Sequence, residues 1–187
     1  MNYNKKIKRF CAAWCLALLT AACTCGCGDK KQVESEQAYR QQGLALLDQG
    51  DYEGAVDAFN KDLQERVGIV SNLEEDINFY KAHAQMEAGS VKDAIATYSA
   101  IIDYDKKNAD AYYLRGCAYI SAGQAKEAAA DFQKAADNDK KNGQMYAGIY
   151  EQLVLAGMLD EAAAYLDQGL KIKGDDAAAC LSRGRLY

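Results

Sequence analysis

The chain has no proline and a single histidine among its 187 residues. With no proline and 15 glycines, the sequence suits helices punctuated by flexible corners. One histidine, His83, stands without a nucleophile or orienting carboxylate at catalytic spacing, so it is expected to line a surface rather than act as a base. Basic charge is scarce as well. Net charge is −5, and four of the 22 basic residues (Lys5, Lys6, Lys8 and Arg9) lie in the first 22 positions. Beyond them 18 bases face 27 acids, a net of −9. That balance argues against nucleic acid as a partner, because phosphate binding needs a basic footprint. Gly-rich phosphate loops, Ser-centred elbows and paired histidines are also missing. The expectation is a protein that is not an enzyme, with no cofactor and no small-molecule substrate.

Seven cysteines raise the question of metal or disulfide chemistry. Cys11 and Cys15 lie in the leader, while Cys23, Cys25 and Cys27 crowd together without the wider spacing and further ligands that tetrahedral zinc wants. Cys117 and Cys180 fall on helices two repeats apart, beyond the reach of about 7 Å that a disulfide allows. Neither a metal site nor a disulfide framework is expected. Asp103-Tyr104-Asp105 and Asp137-Asn138-Asp139 start like calcium loops, but lysine follows where an oxygen ligand belongs. They read as helix ends.

What is present begins with an export signal. A basic start (Asn4 to Arg9) precedes an apolar run from Phe10 to Ala22, too short to span a bilayer and right for a signal-peptide core. It closes on Leu19-Thr20-Ala21-Ala22-Cys23, which resembles the lipobox of bacterial lipoproteins, with Thr20 where leucine is usual. That resemblance implies a diacylglycerol on Cys23, with Cys27 after Gly26 as the alternative, and a protein held by lipid on the extracytoplasmic side of the cell membrane. An ordinary secretory signal is the other reading. Residues 23–35 are polar and read as a flexible tether reaching at most ~40 Å at about 3.3 Å per residue.

The remainder is organised by repetition. Asp139-Lys140-Lys141-Asn142 copies Asp105-Lys106-Lys107-Asn108 at a distance of 34 residues. Between these marks two runs of helical spacing meet at Ala122-Gly123-Gln124. Self-similarity at such a period marks stacked helical hairpins. The small residues Ala94, Ala128 and Ala162 keep the same step, while Ala55 stands 39 before Ala94. Five extra residues are therefore placed at Val67–Asn72. Units are predicted near 36–70, 75–108, 109–142 and 143–176, with a partial unit at 177–187 that would cap the fourth and whose Leu181 and Leu186 would expect a partner if the natural chain continued. Ser90 before Val91 reads as an N-cap, and Asp-Lys-Lys-Asn as a helix stop.

The string GLALLDQGDYEGAVDAFNKDL, with Gly43, the Gly50-Asp51-Tyr52 corner, Ala55 and Phe59, resembles the tetratricopeptide repeat. The third unit carries the same marks at Gly116, Gly123, Ala128 and Phe132. This resemblance implies an all-α fold, a right-handed superhelical solenoid of antiparallel helix pairs whose front helices line a concave groove for a protein or peptide. The groove residues it implies are Arg40, Leu44, Phe79, His83, Met86, Tyr113, Cys117, Ile120 and Glu151, with Leu47, Ala147 and Val154 alongside. For each, the alternative is simple packing within the superhelix. Phe79 and Tyr113 stand where some such domains place a Lys and Asn clamp for a peptide carboxylate, so that clamp is not expected. Tyr39, Tyr112 and Tyr146 are expected in the core. The functional expectation is a membrane-anchored scaffold. Its alternative is a structural or assembly subunit of a cell-envelope complex, using the solenoid ends or convex face.

Overall fold

The computed structural model describes residues 29–65 and 72–172, and the side chains of 37–64 and 74–172. The leader 1–22, Cys23, Cys27 and the predicted partial unit at 177–187 lie outside the described residues, as does nearly all of the extra segment at 67–72. The chain divides into two compact units at Gln32 and Val33, and the repeats belong to the second. The described residues form eight helices in order: α1 (Asp29–Gln49), α2 (Tyr52–Glu65), α3 (Asn72–Glu87), α4 (Val91–Tyr104), α5 (Ala109–Ser121), α6 (Ala125–Asn138), α7 (Gly143–Leu155) and α8 (Leu159–Lys171). No strand occurs among the described residues. None of these helices is long and apolar enough to cross a membrane.

The four hairpin corners are built alike. Gly50, Gly89, Gly123 and Gly157 all take positive φ, between 73° and 79°. At the third corner the Gly123 amide donates to the Ile120 carbonyl (2.9 Å) and the Gln124 amide to that of Tyr119 (2.8 Å). The same pair of bonds recurs at Gly50, Gly89 and Gly157. These are Schellman closures, which satisfy the last carbonyls of the front helix and need a residue free to enter the left-handed region.

Front helices α5 and α7 begin differently from back helices α4, α6 and α8. Asn108 and Asn142 accept the amides of Ala111 (2.9 Å) and Met145 (3.1 Å), so each caps the helix that follows. Asparagine in Asp-Lys-Lys-Asn thus starts α5 and α7 rather than stopping α4 and α6, a correction to the reading from sequence. Its extended or near-extended backbone puts the side-chain oxygen over the first free amides. Ser90 does occupy the N-cap of α4, yet its side chain makes no cap bond. Gln124 and Met158 behave likewise. At these places the Schellman turn already fixes the entry, and the residue at the cap is free to vary. Asp51 is the contrasting case, accepting the Gly54 amide at 3.0 Å.

The first helix starts at Asp29, seven residues before the predicted Glu36, so residues 29–35 are helical rather than a flexible tether. Lysine, glutamine and glutamate there are good helix formers, and no proline intervenes. Part of the extra length before the second unit likewise becomes helix. α3 begins at Asn72, three residues ahead of the place equivalent to Ala109.

The core is a row of layers, each made by one hairpin and the next front helix. Ala55 and Phe59 of α2 pack with Ile77 and Ala84 of α3. Ala94, Tyr98, Ile101 and Ile102 of α4 pack with Ala82, and with Ala111 and Ala118 of α5. Phe132 and Ala135 of α6 join Tyr146, Ile149 and Leu153 of α7 and Tyr165 of α8. No hairpin hides its apolar face alone, which is why repeats of this kind stack. Gly43 and Gly116 permit the close crossing inside a hairpin: a Cβ on either would stand 2.5 Å from the ring of Phe59 or Phe132. The fourth unit solves the same problem with the volumes exchanged. Tyr150 fills the place of Gly116, the facing residue shrinks to half-buried Leu166, and the buried ring moves to Tyr165, 6.2 Å from Tyr146.

Candidate binding face of the front helices

The predicted groove residues fall on α1, α3, α5 and α7, and the side chains of Arg40, Leu44, Phe79, His83, Met86, Tyr113, Cys117, Ile120 and Glu151 are all half-buried. Leu47 and Val154 share that state. Ala147 does not. It is 1% exposed, inside the core beside Tyr146, which corrects its expected place in the groove.

Contacts join these front helices in pairs, α1 with α3 and α5 with α7. Arg40 on α1 reaches Asp76 on α3, 3.6 Å from nitrogen to oxygen. Tyr113 on α5 lies against Gly148 on α7, where any Cβ would collide with its hydroxyl. Phe79 and Tyr113 also tilt against the core rings of Tyr98 (6.3 Å) and Phe132 (6.0 Å). One edge of each ring is therefore structural, and the other edge contributes to the surface. Met86 rests on the second layer and Ile120 on the third.

Two groups on the face titrate abnormally. Burial holds His83 below its ordinary value, against the opposing pull of Glu87. Its Nδ1 is buried and makes no hydrogen bond. Burial also pushes the Cys117 thiol up to about 12, although a hydrogen bond with Tyr113 pulls the other way. At neutral pH that cysteine is a protonated, apolar side chain rather than a nucleophile. Asp76 and Gly148 are members of the face that the spacing argument missed. Asp76 stands at the same unit position as Asp110, so the 34-residue step contained the signal for it.

Away from this face, a shallow depression between α2 and α4 is lined by Glu53, Val56, Asp57, Gln85, Ala88, Ser90 and Asp93. The described residues contain no group of three histidine, cysteine or acidic side chains placed to hold a metal ion.

Hairpins joined by Schellman corners and stacked through shared layers make the second unit an all-α solenoid of helix pairs. Residues 81–143 match the family model of the tetratricopeptide repeat. No curated protein matches the chain. Among solved structures, MamA from Desulfovibrio magneticus RS-1 is 25% identical at a TM-score of 0.61, over 73% of this chain and 75% of that one. YrrB, described as a TPR protein with an unusual peptide-binding site, is 18% identical at 0.60, over 81% and 76%. A tetratricopeptide repeat protein from Parabacteroides merdae is 14% identical at 0.64, over 80% and 59%. These likenesses support a tetratricopeptide repeat fold.

Proposed function

We propose that the protein is a membrane-tethered scaffold that holds a protein or peptide on the face made by α1, α3, α5 and α7. The observation that carries this reading is that each front helix presents half-buried aromatic or aliphatic side chains: Leu44 on α1, Phe79 and Met86 on α3, Ile120 on α5, and Val154 on α7. Partly covered apolar groups on a rigid scaffold lose little freedom when a ligand covers the rest, which favours binding. The peptide-binding site in the description of YrrB is consistent with it. Acylation of Cys23 is the proposed anchor and places the solenoid on the extracytoplasmic side. Acyl chains contribute about 0.8 kcal/mol per buried CH2, so two or more hold essentially permanently.

Capture from solubilised membranes tests the binding half, comparing the natural chain with Met86→Asp/Ile120→Asp after circular dichroism has shown that both fold. Loss of a captured partner supports the reading, and identical partners in both contradict it. Labelled palmitate tests the anchor: it should follow the natural protein and leave Cys23→Ala unlabelled. A second reading, an assembly subunit, is favoured by exposed Leu155 (74%), Leu159 (63%) and Leu170 (38%) at the α7–α8 end. Association that depends on concentration and disappears in Leu159→Asp would select it.

A further inference from the structure

The two joints that read Asp-Lys-Lys-Asn differ in the residue that follows them. Asn108 is followed by Ala109, and Asn142 by Gly143, the one Asn-Gly step in the chain. Asparagine is among the thermolabile residues, because the next backbone nitrogen can attack its carboxamide carbon and close a five-membered ring. A methyl on that next residue crowds the approach and restricts the backbone, and glycine removes both obstacles.

The joints also hold their asparagines differently. Both side-chain oxygens accept from the helix ahead, Asn108 from the Ala111 amide and Asn142 from that of Met145. The side-chain nitrogen of Asn108 also donates across to Glu75 on the preceding front helix. One unit on, the place of Glu75 is taken by Ala109, whose side chain offers no acceptor. Asn142 donates instead to Asp139, at 3.0 Å, within its own joint. Both of its bonds therefore run to residues three positions away, and Gly143 is buried behind them at the start of α7. Neither bond leaves the joint and the turn it caps. Fraying of that turn is enough to release the carboxamide, without parting the hairpins.

We infer that Asn142 is a site of self-modification, converted in the folded protein to aspartate and isoaspartate at a rate set by fraying of the joint between α6 and α7. The Gly143 nitrogen attacks Asn142 Cγ, the Cγ–Nδ2 bond breaks, and Nδ2 leaves as ammonia with the proton that the Gly143 nitrogen gives up. Water is the co-reactant that opens the cyclic imide. Cleavage between the ring nitrogen and Cγ leaves aspartate. Cleavage between that nitrogen and the main-chain carbonyl carbon leaves isoaspartate, with the chain running through Cβ and Cγ. Aspartate still caps α7 but meets Asp139 as acid against acid, where an amide donated before. Isoaspartate lengthens the main chain and takes the cap away, so α7 loses the start that fixes it.

The test incubates the full chain in detergent and mildly alkaline buffer, with and without guanidinium chloride, and follows each asparagine by peptide mapping. In denaturant Asn142 should convert while Asn108 stays intact, and Gly143→Ala, which copies Ala109, should stop it. In the folded protein conversion should proceed at least about tenfold more slowly. Asp139→Ala should speed the folded-state reaction about fivefold, as expected for the loss of one hydrogen bond, and leave the rate in denaturant alone. Asp139→Asn keeps an acceptor and should restore the slow rate. Asp105→Ala, the matching change at the other joint, should leave Asn142 unaffected. Equal rates with and without denaturant overturn the inference, since the joint would then restrain nothing. Asn142 that stays intact in the folded natural chain and in folded Asp139→Ala alike overturns it too. So does equal acceleration by Asp139→Ala and Asp105→Ala, which would place control in unfolding of the whole solenoid.

Discussion

Replacing Arg115 tests how the third hairpin tolerates buried charge. The guanidinium makes two parallel bonds to Asp131, Nε to Oδ2 at 2.7 Å and Nη2 to Oδ1 at 2.8 Å. Its third nitrogen donates to Ser99 in the preceding unit at 2.9 Å. Tyr112 and Tyr119 lie 5.6 Å and 5.8 Å from its centre. The side chains of Arg115 and Asp131 are 18% and 8% exposed, so water cannot stand in for either partner. Arg115→Ala leaves a buried carboxylate alone, at a cost of about 3 kcal/mol. With a urea slope of about 2 kcal/mol per molar, the midpoint should fall by about 1.5 M. The pair as a whole contributes far less. One unit further on, the same two places are held by Ile149 and Tyr165, both buried. Arg115→Leu/Asp131→Leu should therefore unfold within about 1 kcal/mol of the natural chain. A single variant costing below about 1 kcal/mol, or a double variant as weak as the single, would refute this account of the hairpin.

Gly116→Ala should destabilise by about 1–2 kcal/mol in thermal unfolding, because crowding against Phe132 outweighs a gain of about 1 kcal/mol in helix propensity. A more stable variant would show that the ring can retreat. Asn108→Ala removes the cap on α5 and a side-chain bond to Glu75, and should cost about 1–2 kcal/mol by the same measurement. His83 gives a pH signature. Its folded value lies below 6.5, so the unfolded chain takes up the proton first as pH falls. Its contribution should be full above pH 6.5 and be lost progressively below it. His83→Phe should lack that component when urea midpoints at neutral and acidic pH are compared, and an identical acid loss in both proteins would contradict it.

The hairpins were legible because two signals coincide at each unit: a glycine where the corner needs positive φ, and a small residue or phenyl ring at fixed steps from it. Gly50, Gly89, Gly123 and Gly157 mark the corners by backbone chemistry that no neighbour can alter. Spacing also assigned Phe79 with His83, and Tyr113 with Cys117, to shared sides of their helices, since side chains four residues apart lie together. The start of α1 was not legible, because a polar stretch without an apolar stripe can be coil or helix, and no motif separates them.

By itself, then, the sequence determined the repeat and its corners, which follow from local conformational preference and period. Tertiary structure decided what each repeated position means. It placed Ala147 in the core, turned Asn108 and Asn142 into caps for the helices ahead, and joined Arg115 to Asp131 and Arg40 to Asp76. The physical reason is that period assigns a side chain to a face, whereas burial and pairing depend on the volume and charge that the adjoining hairpin brings against it.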